Sequence, residues 1–127
     1  MNDDVRALAG VVIDPGHGGS DPGAVGNNLN EKDYNLMISK YMYDRFRELG
    51  IPVVLTRNED VSLAPTERTD RVKDSFGNNP NVVVISNHLN AGGANGKNVG
   101  IVSSVLFALK QKDFDSMLKF FFYELIT

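Results

Sequence analysis

Residues 11–26 read VVIDPGHGGSDPGAVG, and the fold is decided there. Val11, Val12 and Ile13 are consecutive β-branched residues, and the run stops at Asp14-Pro15-Gly16. A short apolar run that ends in turn residues is the pattern of a buried strand entering a turn. From Asp14 to Asn30 the chain is rich in Gly, Pro and Asn, which predicts a long loop. Long loops inside compact domains are most often functional or disordered.

Working outward, residues 31–49 have a helical period. Tyr34, Met37, Ile38, Tyr41, Met42 and Leu49 fall on one broad stripe expected to face the core. Asn30 is the expected N-cap and Gly50 the expected stop. Residues 51–56 read as a second strand with Pro52 at its start, and 57–60 as a polar connection. A second helix is expected over 62–76, with Pro65 in its first turn. Residues 81–86 form a third strand whose unbroken apolar run suits a position covered on both faces. A second functional loop, 87–93, follows it. Strand, helix, strand, helix, strand predicts an α/β fold with a largely parallel sheet.

Composition narrows the function classes. The chain has 127 residues, the size of one domain. With Cys 0 there is no disulfide framework, Cys-based zinc finger or Fe–S cluster. Lys+Arg 13 against Asp+Glu 16 gives a net charge of -3, which argues against a nucleic-acid partner. The start, MNDDVRALAG, has no basic and then apolar stretch and does not read as a signal peptide. The apolar clusters at 82–85 and 105–109 are too short for a membrane span. After Lys97 the texture shifts. Residues 99–109 are apolar with little period, and 110–127 could form an amphipathic helix bearing Phe114, Met117, Leu118, Phe121 and Leu125. The chain therefore divides into residues 1–98 and a divergent apolar tail, 99–127.

The chemistry lies in the loops. His17 and His88 are the chain's 2 histidines, and each is expected just past the C-terminal end of a parallel strand. Open α/β sheets bind ligands at that edge. Glu31 opens the first helix, which starts at the same edge. Taken singly, His17 reads equally well as a loop histidine with no role, and Glu31 as an acid favoured by the helix dipole. Taken together, His, Glu and His with an open fourth position are the ligand set of a catalytic zinc site. A phosphate cradle fits poorly, because the loop lacks the G-x-x-x-x-G-K-[ST] pattern and Asp14, Asp21 and Glu31 would repel an anion.

In this order VVIDPGHGGSDPGAVG, NEKDYNL, LTRNED, Leu63-Ala-Pro-Thr-Glu-Arg68 and SNHLNAGG resemble the zinc-dependent N-acetylmuramoyl-L-alanine amidases of the amidase-3 type, over roughly residues 11–96. The resemblance implies a twisted, mostly parallel sheet with helices on both faces. It implies Zn2+ on His17, Glu31 and His88, and peptidoglycan as substrate. The bond cut would be the amide between the lactyl group of N-acetylmuramic acid and the L-alanine of the stem peptide. It also implies a bacterial cell-wall or extracellular setting, as for autolysins. Asp14, Ser86 and Asn87 flank the histidines and are expected to orient them. Arg68 is expected to anchor its helix to the loop. The family's late catalytic glutamate has no match in its usual setting. Glu124 is the one glutamate after Glu67 and hence the late candidate. The resemblance thus predicts a sheet truncated on its C-terminal side, with 82–86 left as an exposed edge. A catalytically impaired zinc-binding or wall-binding remnant is the alternative.

Overall fold

The computed structural model describes residues 9–77, 79–92 and 100–110. The start of the chain, the expected helix over 110–127 apart from Lys110, and Glu124 lie outside the described residues; Lys110 ends a strand. Strand β1 is Gly10–Pro15, and every one of its residues is buried. The long loop carries a two-residue hairpin, β2 (Val25–Gly26) and β3 (Leu29–Asn30), and leads into helix α1 (Glu31–Glu48). Strand β4 (Val53–Leu55), helix α2 (Pro65–Asp74) and a 3-10 turn (Ser75–Gly77) follow. The long strands β5 (Val82–Gly92) and β6 (Gly100–Lys110) complete the described elements.

The sheet order is β4-β1-β5-β6. Strand β1 runs parallel to both β4 and β5, and β6 is antiparallel to β5. The central place of β1 explains its complete burial. Side chains alternate across a strand, so each sheet face has its own cover. Val12, Val82 and Val84 form one apolar cluster with Val72 of α2, and Phe76 packs against it. On the other face Asn87 donates to Asn35 O and Ser39 Oγ of α1, at 3.0 and 3.2 Å. The fold is therefore a mostly parallel α/β sheet with helices on both faces.

Four details differ from the sequence reading. The buried line of α1 is Glu31, Asn35 and Ser39, while Met37, Tyr41 and Leu49 are 58%, 75% and 57% exposed. This helix lies over the edge where Gly16 and Asn87 present polar groups. Buried polar groups need partners more than apolar contact, so the polar row turns inward. At the helix start Asn30 makes no side-chain cap. Glu31 N donates instead to Ala24 O at 2.8 Å and Lys32 N to Pro22 O at 3.0 Å, so the loop supplies the acceptors. Third, β5 does not end before Asn87 but continues to Gly92, with His88 inside the strand opposite Val105. Fourth, β6 pairs with β5 over its length, so 82–86 is not an edge. A partner strand extends the ladder that a lone strand could not. Gly50, with φ 75°, ends α1 as expected.

Candidate metal centre

The end of β1 delivers Asp14 and Pro15, after which the backbone turns sharply. His17 sits at φ 60°, a left-handed conformation costly for a side-chain-bearing residue. Two arginines hold this turn. Arg57, just after β4, donates to Pro15 O at 3.2 Å and to Gly16 O at 2.9 Å. Arg68 of α2 donates to Pro15 O at 2.7 Å and to His17 O at 3.1 Å. The carbonyls of Pro15, Gly16 and His17 are thus all turned onto guanidinium groups. Arg68 also pairs with buried Asp14 at 2.7 Å, and Thr56 Oγ1 donates to the same Asp14 oxygen at 2.7 Å. Burial depresses the Arg57 guanidinium's affinity for its proton, as does the charge of Arg68.

Farther along the loop, Asp60 accepts from Gly19 N at 2.7 Å and from Lys32 Nζ at 2.8 Å. Ser62 Oγ donates to Gly18 O at 2.9 Å. These props return the chain so that Glu31, at the first turn of α1, lies beside His17. Glu31 Oε2 is 2.9 Å from His17 Nε2 and accepts from Ala24 N at 3.0 Å. Its Oε1 accepts from Leu89 N at 2.8 Å and is 3.4 Å from His88 Nδ1. The two imidazoles meet edge to face, with centroids 5.0 Å apart.

Charge balance follows from these contacts. Burial alone would raise the Glu31 pKa. The hydrogen bonds from His17 and His88, the His17 charge and the Ala24 N–H outweigh it and hold the carboxyl well below the usual range. Burial opposes the His17 charge as well, but Glu31 and then Asp21 push its pKa up.

One donor atom each from His17, Glu31 and His88 lies within 4.8 Å of the others. Ligands of a tetrahedral zinc stand about 3–4 Å apart, so small side-chain movements bring the set to bonding distance. Two glycines keep the space open. A Cβ at Gly16 would stand 2.3 Å from the His88 ring. One at Gly23 would stand 2.2 Å from Glu31 Oε2 and 2.6 Å from the His17 ring. Two imidazole nitrogens and a carboxylate oxygen around such a space suit a divalent ion with a position left for water.

The flanking residues lie differently from expectation. Asp14 directs its oxygens to Arg68, Thr56 and Ser86, so its part is to anchor the turn and not to touch an imidazole. Asn87 faces α1, where its Nδ2 is taken up by Asn35 and Ser39. Arg68 ties its helix to the loop. Sequence reading missed Asp21, whose Oδ2 is 2.8 Å from His17 Nδ1. Its spacing four residues after a glycine-flanked histidine was the available signal. It also missed Arg57, which a polar connection between elements gave no reason to single out. Glu124 lies outside the described residues.

Comparison with known proteins agrees with this fold. A 36%-identical relative is the sporulation-specific N-acetylmuramoyl-L-alanine amidase of Bacillus subtilis, aligned over 88 residues, 68% of this chain and 33% of that protein. The germination-specific N-acetylmuramoyl-L-alanine amidase of the same organism is 47% identical over 55 residues, 43% of this chain and 23% of that protein. Among solved structures, the N-acetylmuramoyl-L-alanine amidase from Clostridium difficile 630 superposes with a TM-score of 0.60 at 35% identity, covering 69% of this chain and 47% of that one. The catalytic domain of CwlV from Bacillus (Paenibacillus) polymyxa var. colistinus gives 0.58 at 34% identity, covering 66% and 46%. The chain thus spans less than half the length of these relatives. The model of the N-acetylmuramoyl-L-alanine amidase family matches residues 11–118. With most of the chain matched, its parallel sheet shared and its His–Glu–His cluster at the sheet's carboxyl edge, the protein belongs to the N-acetylmuramoyl-L-alanine amidase family.

Proposed function

We propose that this chain acts on bacterial peptidoglycan, in the cell wall or outside the cell, as a zinc-dependent hydrolase. The bond cut is the amide between N-acetylmuramic acid and the L-alanine of the stem peptide. The observation that carries this reading is the convergence of His17, Glu31 and His88 on one space cleared by Gly16 and Gly23. His17, Glu31 and His88 would hold the ion. The chemistry it supplies when bound is polarisation of a carbonyl and a lowered pKa of a coordinated water. Glu31, ionised and held by Ala24 N and Leu89 N, contributes a negative charge at the place where a cation would sit. Arg57 and Arg68 keep the His17 backbone from relaxing out of its turn.

Hydrolysis also needs a group that takes a proton from water and gives one to the leaving amine, worth about 10²–10⁴-fold. Among the described residues, Glu31 and Asp21 are the carboxylates in contact with His17, and both are committed to it. Glu124 remains the proposed proton carrier. That commitment favours a second reading, in which the chain binds zinc and wall fragments with little turnover.

The test is release of L-alanine amino termini from purified peptidoglycan by zinc-loaded wild type, His88→Ala and Glu124→Gln. The expected result is slow release, lost in His88→Ala and reduced in Glu124→Gln. Zinc binding without release would favour the second reading. Equal release by His88→Ala would overturn the metal centre.

A further inference from the structure

The metal-centre loop contains a carboxylate that the proposed hydrolysis does not use. Asp21 stands on the far side of the His17 ring from Glu31. Its Oδ2 lies 2.8 Å from His17 Nδ1, while His17 Nε2 faces Glu31 Oε2 at 2.9 Å. The side chain is 60% exposed, so burial does not explain its orientation. The loop does. Gly18 N donates to Asp21 O at 2.9 Å and Asp21 N to Gly18 O at 3.0 Å, closing a tight bridge around the histidine. Asp21 Oδ1 then accepts from Gly23 N at 3.1 Å. That bond is an Asx turn, and it leaves Oδ2 as the oxygen that meets the ring.

A neutral imidazole carries one proton, and the nitrogen without it is the one able to bind a metal. A carboxylate accepts but does not donate. We infer that Asp21 is a positioning residue: once the metal takes the place of the His17 Nε2–Glu31 contact, Asp21 holds the remaining imidazole proton on Nδ1 and leaves the Nε2 lone pair to the metal. Outer partners of this kind fix ring orientation and raise ligand basicity. The same side chain also sets the place of Gly23, whose missing Cβ leaves room for both His17 and Glu31. Asp21 therefore acts on two of the proposed ligands from one turn.

The inference rests on the proposed metal centre, and Asp21→Asn separates the two. Asparagine preserves the Asx turn, because its Oδ1 can still accept from Gly23 N. Its Nδ2 then faces His17 Nδ1 and donates to it, which moves the imidazole proton to Nε2. A role confined to holding the loop predicts near-normal behaviour of Asp21→Asn and a defect in Asp21→Ala. Tautomer control predicts that Asp21→Asn is no better than Asp21→Ala.

The experiment measures Zn2+ affinity by chelator competition for wild type, Asp21→Asn, Asp21→Ala and His17→Ala. Imidazole 15N spectra of zinc-loaded wild type report which nitrogen of His17 binds the metal and which carries the proton. Expected are an affinity loss of about 10–100-fold in both Asp21 variants, and zinc on Nε2 with the proton on Nδ1 of His17 in zinc-loaded wild type. At a pH where His17 is neutral, the zinc-free melting curve of Asp21→Asn should lie close to that of wild type. Wild-type affinity in Asp21→Asn, or zinc on Nδ1 of His17 in wild type, overturns the role of Asp21 and leaves the metal centre standing. Failure of wild type to bind zinc, or equal binding by His17→Ala, overturns both.

Discussion

The two histidines of the site reach it in opposite ways. His88 lies inside β5 and is placed by strand register: Ser86 and Asn87 pair with Asp14 and Pro15, and His88 follows. His17 lies beyond the end of β1, at positive φ, and depends on Arg57, Arg68, Asp60 and Ser62 from elsewhere in the chain. A ladder carries one proposed ligand at little extra cost. A turn against backbone preference needs partners on most of its carbonyls. The loop histidine is therefore the fragile one, and perturbing its supports should matter more than perturbing the strand around the other.

The largest expected effect is at Arg68. Replacing it with Ala leaves the buried Asp14 carboxylate without its ion pair and releases Pro15 O and His17 O. Removing one member of a buried pair costs about 3–5 kcal/mol. Urea unfolding should show a loss of that order. Zinc affinity measured on the remaining folded fraction should fall less. An unchanged unfolding midpoint would break the contrast between the supported turn and the strand.

Next is Gly16→Ala, which couples the two histidines. Its Cβ would meet the His88 ring at 2.3 Å, so the ring or the turn must move. Overpacking of this kind costs about 1–3 kcal/mol. Weaker zinc binding than wild type is expected by chelator competition. Wild-type affinity would mean that the turn yields easily and is less rigid than its hydrogen bonds imply.

A pH series on the zinc-free chain sharpens the comparison further. The His17 pKa is raised by the fold, so its contribution is complete below its unfolded value of about 6.5 and is lost as pH rises through the higher folded value. The Glu31 pKa is depressed, so its contribution is complete above about 4.3 and is lost as pH falls toward the folded value. Stability from this pair should peak between those limits. Glu31→Gln should flatten the profile on both sides. A wild-type profile already flat from pH 5 to pH 9 would contradict the coupling.

The smallest effect is expected at the exposed rim. Asp60→Asn weakens the bonds to Gly19 N and Lys32 Nζ. The pair is solvent-screened, so the melting temperature should fall less than in either loop variant above, and the difference should shrink in high salt. A loss as large as that of Arg68→Ala would make the rim, not the buried arginines, the main support of the turn.

Much of this molecule could be read from residues alone. The β-branched runs at Val11–Ile13 and Val82–Ile85, the glycine and proline punctuation and the helical periods are local signals, and they located β1, β5, α1 and α2. The candidate ligands His17, Glu31 and His88 were legible because only a few side chains can hold a metal. The facing of α1 was not. Met37 and Tyr41 carry the apolar period, yet Asn35 and Ser39 turn inward. What decides that is the polar edge of a sheet on which Asn87, distant in sequence, is waiting. The pairing of β6 with β5 and the meeting of Arg57 and Arg68 on one stretch of backbone are of the same kind. Asp21 was missed for a related reason, since its orientation depends on the handedness of the turn between it and His17. Local propensity and burial are written residue by residue and survive in the sequence. Partner choice among buried polar groups depends on which chain segments the sheet brings together, and that was decided only when the tertiary structure formed.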